Sequence, residues 1–193
     1  LFELQYVGRI ILFDFVNPSS SPYIRAEQER LLEEGKHPVL YQWVDYDQIS
    51  PYLIRAVVAA EDADFMHHNG LRWDAIKTAA ERNLLSDKRA PGGSTLTQQT
   101  VKNLFLSHDR SYFRKAQEII LTPIVEAIWD KKRILEIYLN IAEFGNGIFG
   151  AQAASRYYFN KNAANLSRAE AIRLASILIN PKKYQFVKSA PLI

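Results

Sequence analysis

Apolar residues recur at helical spacing along most of the chain, and the positions where that rhythm breaks are rich in turn residues. Ser50-Pro51 supplies an N-cap followed by proline at the first helical position. Leu53, Ile54, Val57 and Val58 then form a stripe that runs up to Glu61. Further helices are expected over residues 26–34, 75–85, 95–104, 111–129, 131–142, 151–158 and 167–178. Thr95-Leu96-Thr97-Gln98 has the form of a capping box, and Pro123 predicts a kink near residues 119–123. One strand is expected over residues 39–46, where aromatic and β-branched residues cluster. The result is a mainly α domain with at most a small β element near the N-terminus.

Two punctuated segments organise the rest. Residues 17–22, Asn-Pro-Ser-Ser-Ser-Pro, separate an N-terminal apolar arm (1–22) from a main domain (23–193). Residues 86–93 form a polar, glycine-ended loop of the kind that closes over substrates as well as of the kind that merely connects. The apolar run in the arm is interrupted by Asp14 and falls short of the roughly 18 residues needed for a membrane span. The chain starts at Leu1 and its one methionine is Met66, so an upstream segment, a membrane anchor included, is expected before Leu1.

Composition narrows the chemistry. At 193 residues and 48% hydrophobic content the chain can bury one substantial core, and with no cysteine it has neither disulfides nor a thiolate metal site. The net charge of +3 conceals an asymmetry: residues 1–63 carry 5 Lys/Arg against 10 Asp/Glu, and residues 64–193 carry 19 against 11. The basic portion points to an anionic ligand such as a pyrophosphate or an acidic lipid surface. Nucleic acid is disfavoured, because no recognition motif and no long basic run is present.

Candidate chemistry gathers in that basic portion. An apolar helix leads into Glu61, Asp62 adjoins it and Phe65 follows, surroundings that suit a carboxylate to accept a proton. Asp62 is expected to orient neighbours or hold the local turn, and His68 and Gly70 fit packing and turn roles. A zinc site at His67-His68 is rejected, since adjacent residues diverge and no third ligand is evident. From Gly92 to Asn103 a helix start offers unpaired N–H groups to an anion, and Gln98, Gln99 and Lys102 follow at helical spacing. Arg110, Arg114, Lys115 and Glu118 then place three cations and one carboxylate along one helix face. That surplus suits a pyrophosphate. For Glu126, a structural ion pair is the expected use. Gly145, Gly147 and Gly150 match the dinucleotide G-x-G-x-x-G pattern with Glu170 beyond, but follow a helix rather than a strand, so they read as a helix-to-helix turn.

In order and spacing these segments resemble the peptidoglycan glycosyltransferase family (glycosyltransferase family 51). The resemblance rests on Glu61-Asp62-x-x-Phe65-x-x-His68-x-Gly70, on Gly92-x-Ser94-Thr95-x-Thr97-Gln98-Gln99-x-x-Lys102-Asn103, and on Arg114-Lys115-x-x-Glu118. Lys132-Arg133-Ile134-Leu135-x-x-Tyr138-Leu139-Asn140, the stretch 145–161 and Leu166-x-x-x-Glu170-Ala171 extend it over roughly residues 48–186. Arg72 stands where members of that family often carry an acidic residue, and no Ser-x-x-Lys of a transpeptidase is present.

What the resemblance implies is a lysozyme-like, bilobal helical fold and an inverting transfer that polymerises lipid II into glycan strands with release of undecaprenyl pyrophosphate. It makes Glu61 and Glu118 the catalytic residues and places Asp62, Ser94, Gln98, Gln99, Lys102, Arg110, Arg114 and Lys115 against the substrate. No cofactor is required on this basis; a divalent cation, magnesium or manganese, remains an alternative to cation positioning as the task of Glu118. The implied partners are lipid II, the growing strand, the bacterial inner membrane, and cell-wall synthesis and division proteins. The implied location is the periplasmic or outer face of the cytoplasmic membrane. Two other readings stay open at this point: a lysozyme-like hydrolase or lytic transglycosylase, and a catalytically inactive binding module at the membrane.

Overall fold

The computed structural model describes residues 2–74, 77, 93–107 and 111–186. Apart from residue 77, the helix expected over residues 75–85, together with the loop 86–93 up to its last residue and Arg110, lies outside the described residues. Helices dominate: α1 (Phe2–Phe15), α2 (Pro22–Glu33), α3 (Pro51–Glu61), α4 (Leu96–Phe105), α5 (Tyr112–Ile128), α6 (Lys131–Ile141), α7 (Ala151–Phe159), α8 (Arg168–Ile177) and the short α9 (Pro181–Tyr184). The mainly α architecture agrees with the sequence pattern, and most helix ends fall within a few residues of their expected positions.

Local caps explain those ends. The hydroxyls of Ser50, Thr95, Ser111 and Ser167 accept from the first turns of α3, α4, α5 and α8, and the α4 and α8 caps are reciprocal boxes closed by Gln98 and Glu170. Helix α5 carries Pro123 as part of one helical segment. At its centre the fold places α4, packed on α5 and α6, with α3 lying along α8. Although rich in polar residues, α4 buries eight of its ten positions. Its threonines make this tolerable: Thr97 donates to Glu126 and Thr100 to the Leu96 carbonyl.

Helix α1 packs on α5. Its inner side contributes Tyr6 and Ile10 to the core, where Tyr6 and Phe13 meet the Phe105 ring. Trp129 donates to the Ile10 carbonyl, and the Arg133 guanidinium donates to the Phe13 and Val16 carbonyls at the end of α1. A helix C-terminus leaves carbonyls unpaired, and an arginine there satisfies them while complementing the negative end of the dipole.

The expected strand over residues 39–46 is the main correction. Only Leu40–Tyr41 (β1) pairs, in parallel with Ile148–Phe149 (β2). Beyond it the partner is a side chain: buried Asn140 accepts from the Val44 N–H at 2.9 Å and donates to the Val44 carbonyl at 2.8 Å. Glu136 likewise accepts from the Tyr46 N–H at 2.7 Å. Two α6 side chains thus take the place of a neighbouring strand, which an alternation pattern does not reveal. Replacing Asn140→Ala strands both Val44 groups and is expected to cost about 2–4 kcal/mol, read as a lowered urea midpoint. An unchanged midpoint would rule out this substitute pairing.

The glycine segment follows a helix, as expected, but contains β2 as well as the turn into α7. Gly150 caps α7 at φ +86°, and a Cβ there would stand 2.5 Å from the Asn140 carbonyl oxygen. Close packing of two backbones, rather than a phosphate, accounts for this glycine.

Candidate active site

A cleft of about 630 Å³ is lined by the end of α3 (Ala60, Glu61, Asp62), Arg72, the start of α4 (Gly93, Ser94, Thr95, Gln99, Lys102), and Leu178 and Ile179 after α8. Three local devices assemble it. Asp62 leaves α3 and is held from two sides: His68 Nε2 donates to its carboxylate at 2.9 Å, and the Leu96 N–H donates to Oδ2 at 3.0 Å. His68 Nδ1 accepts from the Gly70 N–H, which fixes the proton on Nε2. Thr95 donates its hydroxyl to the Gly70 carbonyl at 2.6 Å. The Gly70 backbone can approach that closely because its φ is +83° and a Cβ would lie 2.7 Å from Thr122 and Glu126.

Glu126 pairs with Lys131, whose ammonium also donates to the His68 carbonyl and lies 4.4 Å from the Phe65 ring centroid. Buried Phe65 and Glu126 therefore brace the segment after α3 against α5 and α6, and His68 belongs to the same brace.

This geometry changes the expected anion site. The N–H of Leu96 is taken by Asp62 and that of Gln98 by Thr95, so the protein's own carboxylate already complements the positive end of α4. Positive charge for a ligand comes from side chains instead. Gln98 is turned away from its expected place: it is 1% exposed and its amide oxygen closes the capping box. Gln99 and Lys102 do line the cleft. Lys102 is half-buried, and its ammonium makes no hydrogen bond or ion pair among the described residues. Burial lowers its pKa, opposed by Glu118; Arg114 and Lys115 lower it further, and Glu61 acts in the raising direction.

Glu61 accepts from Gln99 Nε2 at 2.9 Å through Oε2. Beside the α4 end of the cleft, Glu118 is 2% exposed and accepts from Arg114 at 2.7 Å and from Lys115. The Lys115 ammonium also donates to Ser94 Oγ at 3.2 Å, which ties the α5 cations to the cleft wall. Of the residues singled out by the sequence, Glu61, Asp62, Ser94, Gln99 and Lys102 thus meet in one cleft, Arg114, Lys115 and Glu118 adjoin it through Ser94, and Gln98 serves the cap.

Two further participants, Arg72 and Tyr138, stand in the motif pattern but were not assigned to the site. Arg72 lines the cleft, 3.6 Å from Asp74. Tyr138, buried in α6, donates its hydroxyl to Gln99 Oε1 at 3.2 Å. No local signal could place Tyr138 there, because it lies 39 positions from Gln99 on another helix.

The family described as Transglycosylase matches residues 28–192. A biosynthetic peptidoglycan transglycosylase of Azoarcus sp. is 52% identical over 186 residues, covering 96% of this chain and 80% of that protein. The protein of the same description in Bordetella pertussis is 48% identical over 189 residues, covering 95% of this chain and 78% of its own length. A third, from Chromobacterium violaceum, is 45% identical over 192 residues, covering 99% of this chain and 84% of its own. With the match spanning most of the sequence and the motif residues gathered at one cleft, the chain belongs to the transglycosylase family.

Proposed function

We propose that this cleft polymerises lipid II into peptidoglycan glycan strands, inverting the anomeric carbon and releasing undecaprenyl pyrophosphate. The observation that carries the reading is the pairing of opposite capacities in one cleft: the Glu61 carboxylate on α3, and on α4 the partially desolvated Lys102 ammonium, without an ion-pair partner among the described residues and backed by Arg114 and Lys115. A glycan hydrolase needs a carboxyl group but has no task for that cation group. Transfer from a pyrophosphate uses both.

Glu61 takes the proton from the acceptor's 4-hydroxyl as that oxygen forms a bond to the donor's C1. The C1–oxygen bond to pyrophosphate breaks, and its electron pair leaves with the pyrophosphate. Lys102, Arg114 and Lys115 stabilise the charge that develops there. Because Lys102 loses solvation without gaining an ion pair among the described residues, an arriving pyrophosphate supplies a counter-charge. Arg110 falls outside the described residues and is assigned to the same group from its sequence position. Glu118 positions the cations. Both of its oxygens are engaged by Arg114 and Lys115, a donor set that does not fit a magnesium or manganese ion at this carboxylate.

Among the described residues no helix is long and apolar enough to cross a membrane. The packed pair α1 and α5 nevertheless exposes Leu4, Ile11, Leu12, Phe15, Tyr112, Phe113 and Ile120. This supports working contact with the outer face of the bacterial inner membrane, where a lipid-linked donor resides. Cell-wall synthesis and division proteins would be its partners there.

Incubation of the chain with lipid II, followed by gel separation of products, tests the proposal. Glycan polymer is the expected product. Cleavage of mature glycan without polymer would assign a hydrolase, and lipid II binding without turnover would assign a binding module.

A further inference from the structure

We infer that Tyr138 is a positioning residue for the transfer: its hydroxyl orients the Gln99 amide so that the NH₂ end, and not the carbonyl end, meets Glu61. The inference rests on the reading of Glu61 as the base. Three groups from three helices form a directed chain, with Tyr138 Oη donating to Gln99 Oε1 at 3.2 Å and Gln99 Nε2 donating to Glu61 Oε2 at 2.9 Å.

A glutamine amide is nearly symmetric in shape, so packing alone does not select which end faces a neighbour. Carbonyl toward carboxylate would oppose two acceptors. Amide N–H toward carboxylate stabilises the charged form and reserves one carboxylate oxygen. The carboxylate favours the second arrangement, a donor behind Gln99 reinforces it, and Tyr138 is suited to that task. It is 1% exposed, and burial together with Glu61 raises its pKa well above the ordinary range, so it stays an O–H donor.

The surrounding frame leaves this one freedom to be set. The α4 backbone that carries Gln99 is anchored at its start by Asp62 on the Leu96 N–H and by the reciprocal Thr95–Gln98 cap. Backbone position is therefore fixed by neighbours of the site, while the orientation of the amide is held between Glu61 and Tyr138. With Oε2 engaged by Gln99, and no partner for Oε1 among the described residues, Oε1 is left for the acceptor hydroxyl, and such preorganisation acts on the rate of the bound complex more than on binding.

The test compares Tyr138→Phe, Gln99→Met and the double variant in steady-state polymerisation of lipid II, with thermal midpoints as a folding control. Tyr138→Phe keeps the ring in place and leaves Gln99 Oε1 open to water from the cleft. Its kcat is expected to fall about fivefold to tenfold, the factor one neutral hydrogen bond supplies, with KM for lipid II within about twofold of wild type. In the Gln99→Met background the same change is expected to have no further effect, because the group it orients is gone. Wild-type kcat in Tyr138→Phe, or an equal proportional loss in the Gln99→Met background, would overturn the inference. Polymerisation surviving in Glu61→Gln would instead remove the base on which it rests. An inactive Glu61→Gln beside a fully active Tyr138→Phe sinks the orienting role alone.

Discussion

Glu61→Gln is expected to lower polymerisation of lipid II by about 10²–10⁴-fold while the protein keeps its fold. The substitution preserves shape and removes the group that accepts a proton. The Gln99 Nε2–H can still donate to the new amide's carbonyl oxygen, so the contact now seen at 2.9 Å has a replacement. Because residue 61 is half-buried at the cleft edge rather than enclosed, the neutral exchange should alter stability by no more than about 0.5 kcal/mol. Donor binding should also persist, since Lys102, Arg114 and Lys115 remain in place. Lost turnover with an unchanged thermal midpoint and retained lipid II binding is therefore the expected pattern. Turnover within tenfold of wild type would assign the proton to another group and dissolve the division of labour proposed for the cleft.

Much of this arrangement is legible in the sequence wherever the responsible interaction is local. Thr95 with Gln98 and Ser167 with Glu170 are separated by one helical turn, so their capping boxes could be read directly and the structure forms both. Long-range substitutions of one partner for another were not legible. Asp62 occupies the start of α4 from 34 residues away and uses the N–H that a free anion was expected to meet. Asn140 replaces a strand from 96 residues away. The burial of α4 was equally hidden, because its polar side chains are satisfied by partners such as Glu126, 29 positions distant from Thr97. Hydrophobic pattern measures how easily a face is buried without help, and here the help comes from elsewhere in the chain. For the cleft itself, residue types pointed to the right neighbourhood, whereas directions did not follow: Gln98 and Gln99 are adjacent, yet one closes a cap and the other meets Glu61.

Glu118→Gln is expected to reduce turnover by about 10²-fold, and the reason lies in how one carboxylate holds two cations. Arg114 reaches Glu118 Oε2 at 2.7 Å, Lys115 reaches Oε1, and Lys115 also bridges to Ser94 Oγ at 3.2 Å. Neutralising residue 118 removes the Glu118 carboxylate from between Arg114, Lys115 and Lys102, whose charges repel one another. Lys115, whose side chain is 37% exposed, can turn into solvent, and the Ser94 bridge is then lost. Solvent access also limits the damage to folding, so a stability loss of about 1–3 kcal/mol is expected rather than the larger cost of breaking a fully buried pair. The net positive charge of the site rises, so attraction for lipid II should survive. What is lost is the fixed placement of charge at the departing pyrophosphate, so kcat falls more than the directly measured affinity for lipid II. Raising magnesium in the assay separates the two roles considered for this carboxylate. If Glu118 positions cations, added magnesium leaves the Glu118→Gln rate low. Recovery with magnesium, or a wild-type rate without it, would overturn the positioning role.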